Sequence, residues 1–124
     1  MLETLSSIIQ AIIGLGLLNV WLLRAGNETD YRGGSATNLK DEFKAYGLPD
    51  AVFYTVGLLK ISSGIALIAG IWMPKLILPA ASVVLALMVG ALAMHVKVGD
   101  PPKKSLPAFL MLAMSAAVTA IQLS

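Results

Sequence analysis

The sequence predicts an all-α fold, a four-transmembrane-helix bundle with a short amphipathic interfacial helix in its first loop, and three observations carry that prediction. The chain of 124 residues is 57% apolar and 13% charged, with a mean hydropathy of +0.82, outside the range of water-soluble domains. Apolar runs occupy residues 5–23, 51–73, 75–96 and 105–123. Each is close to the ~20 residues that cross a ~30 Å hydrocarbon core at ~1.5 Å rise per residue. The charges fall almost entirely between the runs, so residues 1–124 form a single integral membrane domain.

The first run carries no basic lead-in and no small-residue cleavage site, and it ends at Trp21 and Arg24, so it reads as a retained helix rather than a removed signal. Gly14 and Gly16 permit close helix contact, while Gln10 and Asn19 need partners across the bundle. In the first loop, residues 26–35 have turn chemistry. Asn38 then precedes Asp41 in a capping arrangement, and Leu39, Phe43 and Tyr46 recur at helical spacing among charged neighbours. That pattern is an amphipathic helix lying at the membrane interface, ended by Gly47 and Pro49, which either caps the bundle or, the favoured reading, rests on headgroups.

The second run is richest in small residues, and Gly57, Gly64 and Gly70 are its expected helix-packing positions. It also holds a charge, Lys60, on the face of Gly57 and Gly64. A lysine at a helix centre costs roughly 2.5–3.5 kcal/mol on insertion scales, so it needs water, a headgroup or a polar partner. Pro74 and Lys75 form a tight corner, Pro79 is tolerated in the first turn of the third run, and that run closes on the one histidine, His95. Beyond the basic, proline-stopped loop 97–104, the fourth run carries Ser115 and Thr119 as interior polar residues.

The loop charges set an expected orientation. Arg24, Arg32, Lys40, Lys44, Lys97, Lys103 and Lys104 lie on one side against Lys75 on the other, which places the first and third loops in the cytoplasm and both termini outside, in a bacterial cytoplasmic membrane.

Depth counting brings polar groups together. Lys60 lies roughly 13 Å below the basic loops at ~1.5 Å per residue, and its side chain leans back toward them while that of His95 leans inward. Asn19, Tyr54, Lys60, His95 and Ser115 are therefore expected to line one ligand-binding pocket. No run contains Asp or Glu, which removes carboxylate relays and carboxylate metal sites from the spans, and no catalytic or metal-ligating residue is assigned. The absence of cysteine removes thiol redox chemistry and iron–sulfur ligation. The basic residues form no stripe with interleaved aromatics, so no nucleic-acid partner is expected. An ammonium beside an imidazole suits a carbonyl, a phenolate or an anionic headgroup, as in quinones and acidic lipids.

Residues Leu48 and Pro49, the segment VGLLKISSGIALIAG at 56–70, the run ending in His95 and VGDPPKK at 98–104 resemble the DoxX-like family of small four-helix membrane proteins, over most of the chain. The pattern of Gly-Leu-Leu-Lys, His and Gly-Asp-Pro is also similar to the DoxX-like receptor chaperone NACHO. Many relatives look to carry Glu at the position of Lys60, so a carboxylate role there does not transfer. The resemblance implies a four-helix fold and an assembly or chaperone-like role, or association with a quinone-reducing complex. Together these readings give a non-catalytic ligand- or partner-binding membrane protein that needs no cofactor. Its expected partners are membrane lipids and either a protein partner or a second copy of itself. A quinone-interacting subunit of a membrane oxidoreductase is the alternative, with quinone as cofactor, and a small transporter the third.

Overall fold

The computed structural model describes residues 1–27 and 29–124, so Glu28 of the first loop lies outside the described residues. Helix α1 spans Leu2–Leu18 and continues through a π-helical turn at Asn19–Leu23. Helices α2 (Leu39–Ala45), α3 (Asp50–Ala69), α4 (Ile77–Lys97) and α5 (Leu106–Leu123) follow, with 3-10 turns at Pro74–Leu76 and Pro102–Ser105 leading into the last two. Among the described residues there is no strand, and α1, α3, α4 and α5 with their end turns are long and apolar enough to cross a membrane. The chain is an integral membrane protein. The second span stops short of the expected residue 73 because Ile71 and Trp72 donate to Ile68 and Ala69, three residues back, and turn the corner early.

The four long helices form a ring in which α1 packs on α3, α3 on α4, α4 on α5 and α5 on α1. Both termini and the 70–76 corner lie at one end, and the first and third loops at the other.

At the terminal end, small residues bring backbones together. A Cβ on Gly14 would lie 2.7 Å from the Gly64 carbonyl oxygen, and one on Gly64 would lie 3.2 Å from that of Gly14. A Cβ on Gly70 would meet Ile77 at 2.7 Å, so this corner too is closed by the lack of a side chain. Ile13, Leu67, Ala81, Val84 and Val118 fill the space between the helices. Gln10 is buried among them without cost because each end is bonded: Ser6 Oγ donates to its Oε1 at 2.7 Å, and its Nε2 donates to the Leu67 carbonyl at 2.9 Å. That carbonyl is left over by the early corner, since Ile71 N–H turns to Ile68 instead.

At the loop end, α2 is capped as its sequence prescribes. Asn38 Oδ1 accepts from Asp41 N–H at 2.8 Å. Gly47, at φ +77°, permits the closing pair of bonds Gly47 N–H to Lys44 and Leu48 N–H to Phe43. Of the two expected placements, over the bundle or on headgroups, the first is the one found. Leu39 and Phe43 pack against Trp21, Val52, Phe53 and Val56, so the apolar face of α2 covers the mouth of the bundle and is satisfied by protein rather than lipid.

Candidate functional site

Beneath α2 lies a cavity of about 480 Å³. Val20, Val56, Ala91, Met94, Ala108 and Met111 form apolar walls at span level, while Arg32, Glu42 and Tyr46 close it from the loop side and Lys60 and His95 enter from α3 and α4.

His95 is placed by the end of its own helix. Gly99, at φ +71°, is the left-handed residue that lets Gly99 N–H bond to Val96 at 3.1 Å and Asp100 N–H bond back to the His95 carbonyl at 3.0 Å. This motif sets the residue after the glycine against the one five positions earlier, usually as an apolar contact. Here the contact is polar, and Asp100 Oδ2 lies 2.7 Å from His95 Nδ1. The Asp100 side chain is only 4% exposed. Burial pushes its carboxyl up, but the His95 hydrogen bond, the Gly34 N–H at 2.9 Å and the Lys104 ammonium at 3.8 Å outweigh burial and hold it below the usual carboxylate value. An ionised carboxylate at Nδ1 keeps the proton there, which leaves Nε2 as the ring nitrogen without a protein partner among the described residues.

The roof is a second network. The Tyr46 ring stands edge-on to His95 with centroids 5.9 Å apart, and its hydroxyl donates to Glu42 Oε1 at 2.7 Å. Burial first, then this bond and the Glu42 charge, push the phenol well above its ordinary range, so it remains a neutral donor. Glu42 Oε2 pairs with Arg32 Nη1 at 3.4 Å, and Arg32 also donates to the carbonyls of Arg24 and Asn27. Lys97 Nζ donates to the Tyr46 carbonyl at 2.8 Å, tying the end of α4 to the end of α2.

Lys60 has no hydrogen-bond acceptor or carboxylate partner among the described residues. Its Nζ sits 5.5 Å from the centre of the Trp21 ring, a cation–π contact. The ring is held by the notch at Gly57, where a Cβ would lie 2.6 Å from it, and by Phe43 and Phe53 at 5.9 and 5.3 Å between centroids. The π-helical turn carries Trp21 inward, with Arg24 N–H bonding five residues back to Asn19.

Of the five residues expected to share a pocket, the structure brings Lys60 and His95 to one cavity and sets the other three apart. Asn19 is exposed, since it stands about 200° round the helix from buried Leu17. Tyr54 is 61% exposed and bonds Lys40 on the outer surface, because six residues place it about 120° from Lys60. Ser115 is fully buried but bonds the carbonyl of Leu112 in its own helix, the usual refuge of a hydroxyl in apolar surroundings. Carboxylates absent from the spans arrive from the loops as Glu42 and Asp100. Sequence reasoning missed them, together with Arg32, Tyr46, Lys104 and Trp21. For Asp100 a signal existed: a glycine four residues after His95, followed by Asp and two prolines, is a helix cap that folds back on the histidine.

The family model described as DoxX-like matches residues 33–118, a stretch that includes Glu42, Tyr46, Lys60, His95 and Asp100. No curated protein and no solved structure matches the chain, and the likeness to NACHO is not shown.

Proposed function

We propose, from the premise that the chain belongs to the DoxX-like family, that it is a non-catalytic membrane protein that binds a lipophilic ligand in its loop-end cavity. One observation carries the reading. Apolar walls at span level lead to a polar end where an unpaired ammonium, Lys60, and a ring nitrogen oriented by Asp100 meet the same space. Its volume of about 480 Å³ falls in the range of small-molecule sites. The roof groups Arg32, Glu42, Tyr46 and Lys104 are committed to one another or to backbone, so they hold the site closed and leave recognition to Lys60 and His95.

A second reading, a quinone-interacting subunit of a membrane oxidoreductase, is favoured by the pairing of a donor with an acceptor. Lys60 would donate to a carbonyl, and His95 Nε2 would accept from a hydroxyl of the reduced form. Native mass spectrometry of the purified protein, followed by organic extraction, tests both. We expect a co-purified lipophile at stoichiometric amount, reduced in Gly90→Leu, since Gly90 lines the cavity and a Cβ there meets nothing within 4 Å. Stoichiometric quinone would move the assignment to the second reading. A cavity without any lipophile, in wild type and variant alike, would remove the first.

A further inference from the structure

The charges around the cavity do not balance, and the imbalance points to the class of ligand. Arg32 is matched by Glu42 at 3.4 Å. Lys104 bonds the Gly34 carbonyl at 2.5 Å and lies 3.8 Å from Asp100. Arg24 also lines the cavity, but from an exposed position where water hydrates its charge. Among the described residues Lys60 is the half-buried cation left without a paired counter-charge: it lies within a transmembrane helix against the face of Trp21, and the Glu42 carboxylate, already paired with Arg32, acts on it only at a distance. An aromatic face offsets part of the loss of hydration but supplies no counter-charge.

We propose that the cavity takes a single-chain acidic lipid, whose anionic head pairs with Lys60 and whose tail lies along the apolar walls. This inference rests on the ligand-binding reading above and adds the sign of the charge. A carboxylate or phosphate-monoester head has several oxygens, so one accepts from the ammonium while another faces His95 Nε2, as an acceptor when the imidazole is protonated or as a hydroxyl donor when it is neutral. The wall residues Ala86 and Gly90 are exposed, so the cavity is open along α4 at span level, and a lipid reaches Lys60 from the bilayer without crossing the loop roof.

Trp21 reports on the test. The chain's other tryptophan, Trp72, is 76% exposed at the terminal end, so a Trp72→Phe background leaves emission from the ring that covers Lys60. That protein, in nanodiscs of neutral phosphatidylcholine, is titrated with oleate, oleyl alcohol and inorganic phosphate. Oleate should bind about tenfold or more tightly than oleyl alcohol, the margin of one charge-assisted hydrogen bond, and phosphate should give no response. Lys60→Met should reduce oleate to the level of the alcohol, whereas Lys60→Arg, which stays charged, should keep the preference. Equal affinities for oleate and oleyl alcohol, or a preference unchanged in Lys60→Met, would overturn the acidic-lipid assignment and leave the cavity reading intact. Response to phosphate alone would assign a head-only anion site instead. No response to any of the three would overturn both readings.

Discussion

The two halves of the bundle solve the problem of a membrane interior in opposite ways. Toward the termini, glycines at 14, 64 and 70 let helices touch, and small aliphatic side chains leave no room. Toward the loops, large aromatics and paired charges span the gap between the same helices, and a cavity of about 480 Å³ remains beneath them. In a bilayer, burial of apolar side chains gives little drive, so close contact and satisfied polar groups decide where helices meet. The solid half gains cohesion from contact. The hollow half gains it from a roof whose polar groups satisfy each other, which leaves the space below available.

If the roof holds the hollow half, breaking its buried ion pair should open that half and spare the other. Glu42→Ala strands the Arg32 guanidinium and the Tyr46 hydroxyl, and loss of one partner of a buried pair costs about 3–5 kcal/mol. Hydrogen exchange should rise across residues 29–48 while α1 below residue 18 keeps its protection. Uniform loss of protection would show that the two halves are one cooperative unit. The converse perturbation, Gly14→Val, drives a side chain into the Gly64 carbonyl and should cost about 1–3 kcal/mol by overpacking. Denaturation in detergent should then shift to milder conditions without any change in ligand stoichiometry of the folded fraction.

Acid should act on the roof before the terminal half. The folded Asp100 carboxyl lies below its ordinary value of 3.8, so its contribution is complete above that pH and is lost as pH falls through the depressed value. Limited pepsin digestion should find the first loop increasingly accessible below pH 3.8, a dependence that Asp100→Asn should flatten. Cleavage that follows the same pH course in both proteins would assign the transition to another group. The smallest expected effect on stability is that of orientation: a reporter after Ser124 should behave as extracytoplasmic and one near Gly33 as cytoplasmic, following the Lys/Arg bias of the loops. The reversed pair of signals would show that the acidic residues of the first loop, or helix packing, override that bias.

The terminal half could be read almost directly from the chain, because hydropathy marks spans and runs of small residues mark contact; Gly64 and Gly70 were placed by type alone. Lys60 and His95 stand out in the sequence as polar exceptions in apolar runs. The roof does not, since it depends on which way loops fold. Glu42 and Arg32 read as ordinary solvated charges until α2 is seen to lie over the mouth, and nothing in the spacing of Arg32 and Glu42 requires that they meet. Asn19 and Tyr54 part from Lys60 for a simpler reason: position along a helix sets depth, but the angle around it sets the face, and both stand on exposed faces.

The clasp between the loops also fixes a sequence in time. Gly34 N–H waits for the carboxylate of Asp100, 66 residues further along, and the Gly34 carbonyl waits for Lys104, 70 residues on. Because the chain is made from its N-terminus, α1, α2 and α3 are all synthesised before either partner. Throughout the synthesis of α4 the covering helix has neither fastening, and the space that becomes the cavity is bounded on two sides only. The roof can therefore be fastened only after α4 has been made, and the last wall of the cavity, Ala108 and Met111 of α5, is made after both fastening residues.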